Sequence, residues 1–234
     1  MTVSAHASAV FDRGDLQDHT VSFFRHGWPT LPDIRLVHCR GLCAVVKDWS
    51  SRGALRRFLQ GRFMLAREEH FLSRLRGLPG IPRCFGRPDA DSLAIEFLDG
   101  RPVSVVHPHE YPIGYWDRLD ALVRAIHERG VAHGDLDQED NILVLSDGSP
   151  ALIDFGNAIT QSRCSPLHRL LFDLLRRHDL WCIERLRLKK DLFTGLRKAP
   201  PPPRLYGWQR RILLVFNKME RREHVRTHGV GQAP

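Results

Sequence analysis

Apolar positions divide the chain into a strand-rich first part and a helix-rich second part, read from alternation and from helical spacing. Asp33 to His38 and Leu42 to Trp49 are short runs rich in β-branched residues, and Cys39-Arg40-Gly41 between them reads as a tight hairpin turn. Ser50 or Ser51 is placed to cap a helical stretch that Gly61 is expected to break. A second helix is predicted from Phe63 to Arg76, with Leu65, Glu68, Leu72 and Leu75 on one face, stopping at Gly77 before Pro79. Leu93 to Leu98 is a further buried-strand candidate, ended by Asp99-Gly100.

The next helix is predicted from Trp116 to Arg129, with Leu119, Leu122, Val123 and Ile126 on one stripe and Gly130 as its stop. Two short strands follow, Ile142 to Leu145 and Ala151 to Ile153, joined by Ser146-Asp147-Gly148-Ser149. Residues 167–188 have helical spacing, Pro200 to Pro203 form a stiff linker, and residues 206–226 read as a basic amphipathic helix. Residues 1–30 show little periodicity and are expected to be a loosely structured arm. No internal repeat is present.

With 234 residues, the chain can fill one sizeable core or share it between two lobes, but not support two independent domains. Lys and Arg number 35 against 27 Asp and Glu, a net charge of +8 that favours anionic partners. Much of the excess lies in the tail, from Arg204 to Arg226, where packing of Trp208, Ile212, Leu213, Val215 and Phe216 on the preceding domain competes with docking on an anionic membrane. The five cysteines, Cys39, Cys43, Cys84, Cys164 and Cys182, form no CxxC or Cys/His cluster in sequence, so neither a disulfide framework nor a zinc site is indicated. No basic segment leads into an apolar run at the start, and no stretch approaches the ~20 apolar residues of a membrane span. A cytoplasmic protein is expected, at most peripheral at the inner face of the membrane, with no specific nucleic acid as partner.

The chemistry lies in His133-Gly-Asp-Leu-Asp-Gln-Glu-Asp-Asn-Ile-Leu-Val144, followed by Ile153-Asp-Phe-Gly156. Phosphoryl transfer needs a carboxylate to orient the attacking hydroxyl and oxygen ligands to hold Mg²⁺ on the nucleotide phosphates. Asp135 suits the first role, and Asn141 and Asp154 the second, because the hairpin between them returns both to one end. Lys47 sits in an apolar strand, where an ammonium is costly unless paired. Glu68 is the partner expected from its helical face, with Glu69 as the alternative. His133 is read as a brace for the loop, and Asp173 either as an anchor for it or as a surface charge.

These residues resemble the protein-kinase superfamily, and within it the compact atypical branch of RIO-like kinases, bacterial lipopolysaccharide-core kinases and aminoglycoside phosphotransferases. Gly134 stands where most kinases have the Arg of HRD, as in that branch, and Arg67-Glu68 with Gly77-Leu-Pro-Gly-Ile-Pro82 is similar to the small bacterial RIO-like serine/threonine kinases. The resemblance implies an α+β, two-lobed protein-kinase-like fold, with a small β-rich N-lobe over 31–99 and a reduced helical C-lobe over 100–199. It implies Asp135 as catalytic base, Asn141 and Asp154 as magnesium ligands, and Lys47 as the contact to the ATP phosphates with Glu68 as its ion-pair partner. It also implies backbone groups from Glu96 to Leu98 as the adenine hinge. ATP and Mg²⁺ are the expected cofactors, and a protein or lipopolysaccharide hydroxyl the acceptor.

Two departures stand out. Asn141 follows Asp135 by six residues where five is usual, and no GxGxxG precedes Lys47. The first reading is therefore a serine/threonine protein kinase, with a sugar kinase of lipopolysaccharide core and a nucleotide-binding pseudokinase as alternatives.

Overall fold

The computed structural model describes residues 10–25, 30–161 and 166–191. These all belong to one compact unit, residues 1–199. Cys164, the proline linker and the basic helix expected after it lie outside the described residues.

In chain order the elements are α1 (Arg13–Asp18), β1 (Thr20–Arg25), β2 (Asp33–Cys39), β3 (Leu42–Asp48), α2 (Ala54–Arg56), α3 (Arg62–Arg74), β4 (Cys84–Gly86), β5 (Ser92–Glu96) and β6 (Gly100–Pro102). Then come α4 (Tyr115–Glu128), β7 (Val131–Ala132), β8 (Ile142–Leu145), β9 (Pro150–Leu152), β10 (Ile159–Thr160) and α5 (Pro166–Asp191). The first five strands form an antiparallel sheet in the order β1-β2-β3-β5-β4. Two small sheets, β6-β8-β9 and β7-β10, lie against the helices α4 and α5. This is the two-lobed α+β arrangement expected from the sequence.

Side chains alternate across β3 as a pleated strand requires. Ala44 and Val46 pack with Phe11, Leu16, Val37 and Phe85 in one apolar cluster, while the neighbouring β5 sends Leu93 and Ile95 into the main core with Leu65, Leu72 and Leu75 of α3. The sheet is therefore covered on both faces at β3 and β5, and Lys47 lies on the face turned to α3. Arg40 and Gly41, both at positive φ (52° and 73°), make the two-residue β2–β3 turn.

Three expectations are corrected. The first 30 residues are not uniformly irregular: Asp12 caps α1 through a capping box, and β1 pairs with β2. β1 escapes sequence reading because it is an edge strand whose side chains are exposed on both faces, so no apolar–polar alternation develops. Neither Ser50 nor Ser51 caps the next helix, which starts after Gly53. Gly61 does not break it either: residues 57–61 form a π-turn that runs directly into α3.

Gly61 is glycine because Trp49 leaves no room for a side chain. A Cβ at this position would lie 2.7 Å from Cγ of the buried Trp49 ring. Gly61→Ala is expected to destabilise the protein by about 1–3 kcal/mol, even though Gly→Ala within a helix ordinarily gains about 1 kcal/mol. The urea midpoint should fall at constant m-value, and an unchanged or higher midpoint would refute the packing account.

Candidate active site

Burial alone disfavours the Lys47 ammonium, so the position requires counter-charges. Its Nζ donates to Glu68 Oε1 at 2.8 Å and to Asp154 Oδ1 at 2.9 Å. Burial pulls the lysine pKa down, but the two carboxylates outweigh it and hold the group protonated. Lys47 in turn holds the Asp154 carboxyl below its usual range. Glu68 is buried, and its selection over Glu69 follows from helix phase, since Leu65, Glu68, Leu72 and Leu75 all turn inward.

Asp154 sits in the left-handed region (φ 62°), and its side chain is 51% exposed. Lys47 and the Gly156 N–H both donate to Oδ1, which leaves Oδ2 without a partner among the described residues. Asn141 donates its amide N–H groups to Asp135 O (3.0 Å) and Oδ2 (3.2 Å), so its own Oδ1 remains an open acceptor. β8 and β9 pair Ile142 with Leu152, and the Ile153 N–H donates to Asn141 O at 3.0 Å. Asn141 thus lies at the same hairpin end as Asp154. A 3-10 turn over 139–141 leads into Asn141. Asn157 donates a further bond to Asp135 Oδ2 at 3.3 Å.

The loop carrying Asp135 is anchored from α5. Asp179, fully buried, accepts the backbone N–H groups of His133 (2.8 Å) and Gly134 (2.9 Å), and its carboxylate also bonds His127 Nε2 at 3.0 Å. Gly134 has φ +77°, and an added Cβ would crowd Asn157 O at 3.2 Å, which accounts for glycine in this position. His133 Nε2 lies 3.0 Å from Ile153 O, which makes it the donor and leaves Nδ1 bare and buried. Protonating Nδ1 would bury an unpartnered charge, and burial accordingly pushes His133 below the ordinary histidine value. The brace therefore works in its neutral form.

The segment after β5 is more constrained than the sequence suggests. The Glu96 side chain is committed to Arg83, whose backbone N–H and guanidinium it accepts. The N–H groups of Glu96 and Phe97 donate to Arg83 O and Cys43 O. The Leu98 N–H has no partner among the described residues.

No family model and no curated protein matches the sequence. Solved structures do match. The Rio2 kinase of Chaetomium thermophilum, in a complex with ADP/Mg²⁺-phosphoaspartate, aligns over 79% of this chain at 22% identity and a TM-score of 0.53. The chain has the fold of a RIO-type protein kinase. A second structure of the same Rio2 kinase aligns over 79% of the chain at a TM-score of 0.52 and 22% identity. The chain spans about three fifths of the length of these kinase chains, 59% and 61%.

Within this kinase fold, Lys47, Glu68 and Asp154 form one bonded set and Asp135, Asn141 and Asn157 another, linked through the 154–157 segment. Glu96 and Leu98 are bonded to neither. Sequence reading missed Asn157 and Asp179. Asp179 carries a visible signal: it interrupts the apolar stripe of Phe172, Leu175, Ile183 and Leu186, which all face the core. Asp173, the expected alternative anchor, lies off that stripe and is paired at the surface with Arg176.

Asp179→Ala would leave two loop N–H groups unpaired in the interior and is expected to cost about 2–5 kcal/mol, while Asp173→Ala stays within about 0.5 kcal/mol. Urea denaturation of the two variants checks this, and similar losses in both would remove Asp179 as the anchor. For His133, the depressed folded-state pKa means that stability is fully present above the ordinary value of about 6.5 and declines as pH falls through it. Thermal melts from about pH 7.5 to 5.5 should show that decline, with a shallower slope in His133→Asn.

Proposed function

We propose that the protein is a MgATP-dependent phosphotransferase that transfers the γ-phosphoryl group to a hydroxyl, with serine or threonine of a protein as the acceptor. The observation that carries this reading is the single lysine shared by Glu68 and Asp154. It joins β3, α3 and the β8–β9 hairpin at one point, where a phosphate-binding cation beside a metal-binding carboxylate is needed.

The donor set fits magnesium. Asp154 Oδ2 and Asn141 Oδ1 are both oxygens, and both are left open by the hydrogen bonding around them; a hard cation prefers such ligands. When bound with nucleotide, Mg²⁺ offsets charge on the transferring phosphoryl group. Lys47 binds the α and β phosphates, positioned by Glu68. Asp135 orients the acceptor hydroxyl and takes its proton at a carboxylate oxygen, held in place by the Asn141 and Asn157 amides. The backbone from Glu96 to Leu98 is the hinge for adenine, with the open Leu98 N–H as its donor, while the Glu96 side chain shapes the hinge through Arg83.

MgATP should raise the melting temperature of the wild-type protein, by an amount equivalent to about 2.7 kcal/mol at a hundredfold excess over Kd. Asp154→Asn should lose the magnesium-dependent part of that shift together with phosphoryl transfer, at unchanged far-UV circular dichroism. Asp135→Asn should keep the shift while transfer falls by about 10²–10⁴. Transfer of label from γ-labelled ATP to protein and lipopolysaccharide fractions of a lysate measures activity and acceptor class together. Undiminished transfer by Asp154→Asn rules out the assignment.

A further inference from the structure

A second cluster of ligand-type side chains lies behind the Asp135 loop and has no part in the proposed reaction. Asp137 leaves the loop two residues after Asp135, and His178 and Cys182 stand one turn apart on α5. Cys182 Sγ is 3.5 Å from Asp137 Oδ1 and 3.6 and 3.8 Å from His178 Nδ1 and Nε2. One ligand atom from each residue lies within 4.8 Å of the others. The thiol is fully buried, His178 is 8% exposed, and the Asp137 side chain is 25% exposed.

Hydrogen bonding accounts poorly for this grouping. The sulfur is nearly equidistant from both imidazole nitrogens and so lies on the lone-pair axis of neither, and His178 has no other hydrogen-bond partner among the described residues. Metal coordination accounts for it better. With Zn–S about 2.3 Å and Zn–N or Zn–O about 2.0 Å at a tetrahedral angle, sulfur sits about 3.5 Å from each other ligand atom, close to its separations from Asp137 Oδ1 and His178 Nδ1. A thiolate, an imidazole and a carboxylate together favour zinc over magnesium or calcium. Asp137 Oδ1 accepts from both Arg185 and Cys182, and loss of the thiol proton on metal binding frees a lone pair of that oxygen for the ion.

The other Asp/His/Cys group, Asp15, His19 and Cys39, fits less well. The Asp15 carboxylate is already engaged by the Asp12 N–H, Arg40 and Cys39, and His19 is exposed.

We infer that Asp137, His178 and Cys182 bind a zinc-type divalent ion, with water from the exposed side as fourth ligand, clamping the Asp135 loop to α5. Binding replaces the Cys182 S–H bond with a metal–sulfur bond and releases one proton to solvent. The cluster is not apparent in sequence because two ligands share one helical turn while the third comes from 41 residues before His178. The inference is independent of the phosphotransferase reading, since its readout involves no nucleotide.

The test uses the full chain, stripped with chelator and titrated with Co²⁺ and then Zn²⁺. One Co²⁺ per chain should give a thiolate-to-cobalt charge-transfer band that Zn²⁺ abolishes, and Zn²⁺ should raise the melting temperature. Cys182→Ser should lose the band, His178→Gln should weaken binding at least about tenfold, and Cys39→Ser should change nothing. If Cys182→Ser does not fold, His178→Gln decides alone, because its ring lies at the edge of the core. No band in the folded wild-type chain, undiminished binding by His178→Gln, a band that survives Cys182→Ser, or one lost with Cys39→Ser overturns the inference.

Discussion

A lysine ammonium held away from water among apolar strands is the constraint on which the arrangement turns. Lys47 is tolerable only where opposite charge meets it, and its two carboxylates come from elements 21 and 107 residues away in sequence. To deliver them, α3 must lie across the sheet with Glu68 inward, and the β8–β9 hairpin must end at Asp154. Packing of Leu65, Leu72 and Leu75 against β5 supplies the apolar energy that makes the first possible. The left-handed turn at Asp154 makes the second possible, and a non-glycine residue there is a local strain that the surrounding contacts sustain.

A second buried charge does comparable work for the neighbouring loop. Asp179 replaces helix or sheet hydrogen bonds for two backbone groups that belong to neither, and so fixes the entry to Asp135. Further ion pairs from α5, Arg185 to Asp137 and Lys189 to Glu139, fasten the same loop farther along. The Asp135 segment is thus irregular in dihedral angles but heavily bonded, and its placement does not depend on regular secondary structure.

Legibility in the sequence followed the physics of each element. Lys47 and Glu68 were readable because a charge in an apolar strand and a charge on an apolar helix face are both anomalies, and anomalies of opposite sign suggest each other. That Asn141 lies beside Asp135 and at the same hairpin end as Asp154 was readable from residue order. β4, β6, β7 and β10 have only two or three residues each, too few for any period to register. Asp179 was overlooked for Asp173, although its helical phase marked it. The bonds from Asn157 to Asp135 and from Arg83 to Glu96 depend on tertiary approach and leave no local trace.

The π-turn before α3 sets a boundary for how this chain can tolerate change in length. Gly61 against Trp49 fixes the rotation of α3, and the looser turn ahead of it absorbs any mismatch with the exposed segment carrying Leu55, Phe58 and Leu59. A residue gained or lost before Gly61 therefore rephases only that outer segment. The same event between Gly61 and Glu68 would swing the glutamate about 100° around the helix and away from Lys47. Descendants of this sequence should accumulate indels on one side of Gly61 and almost none on the other.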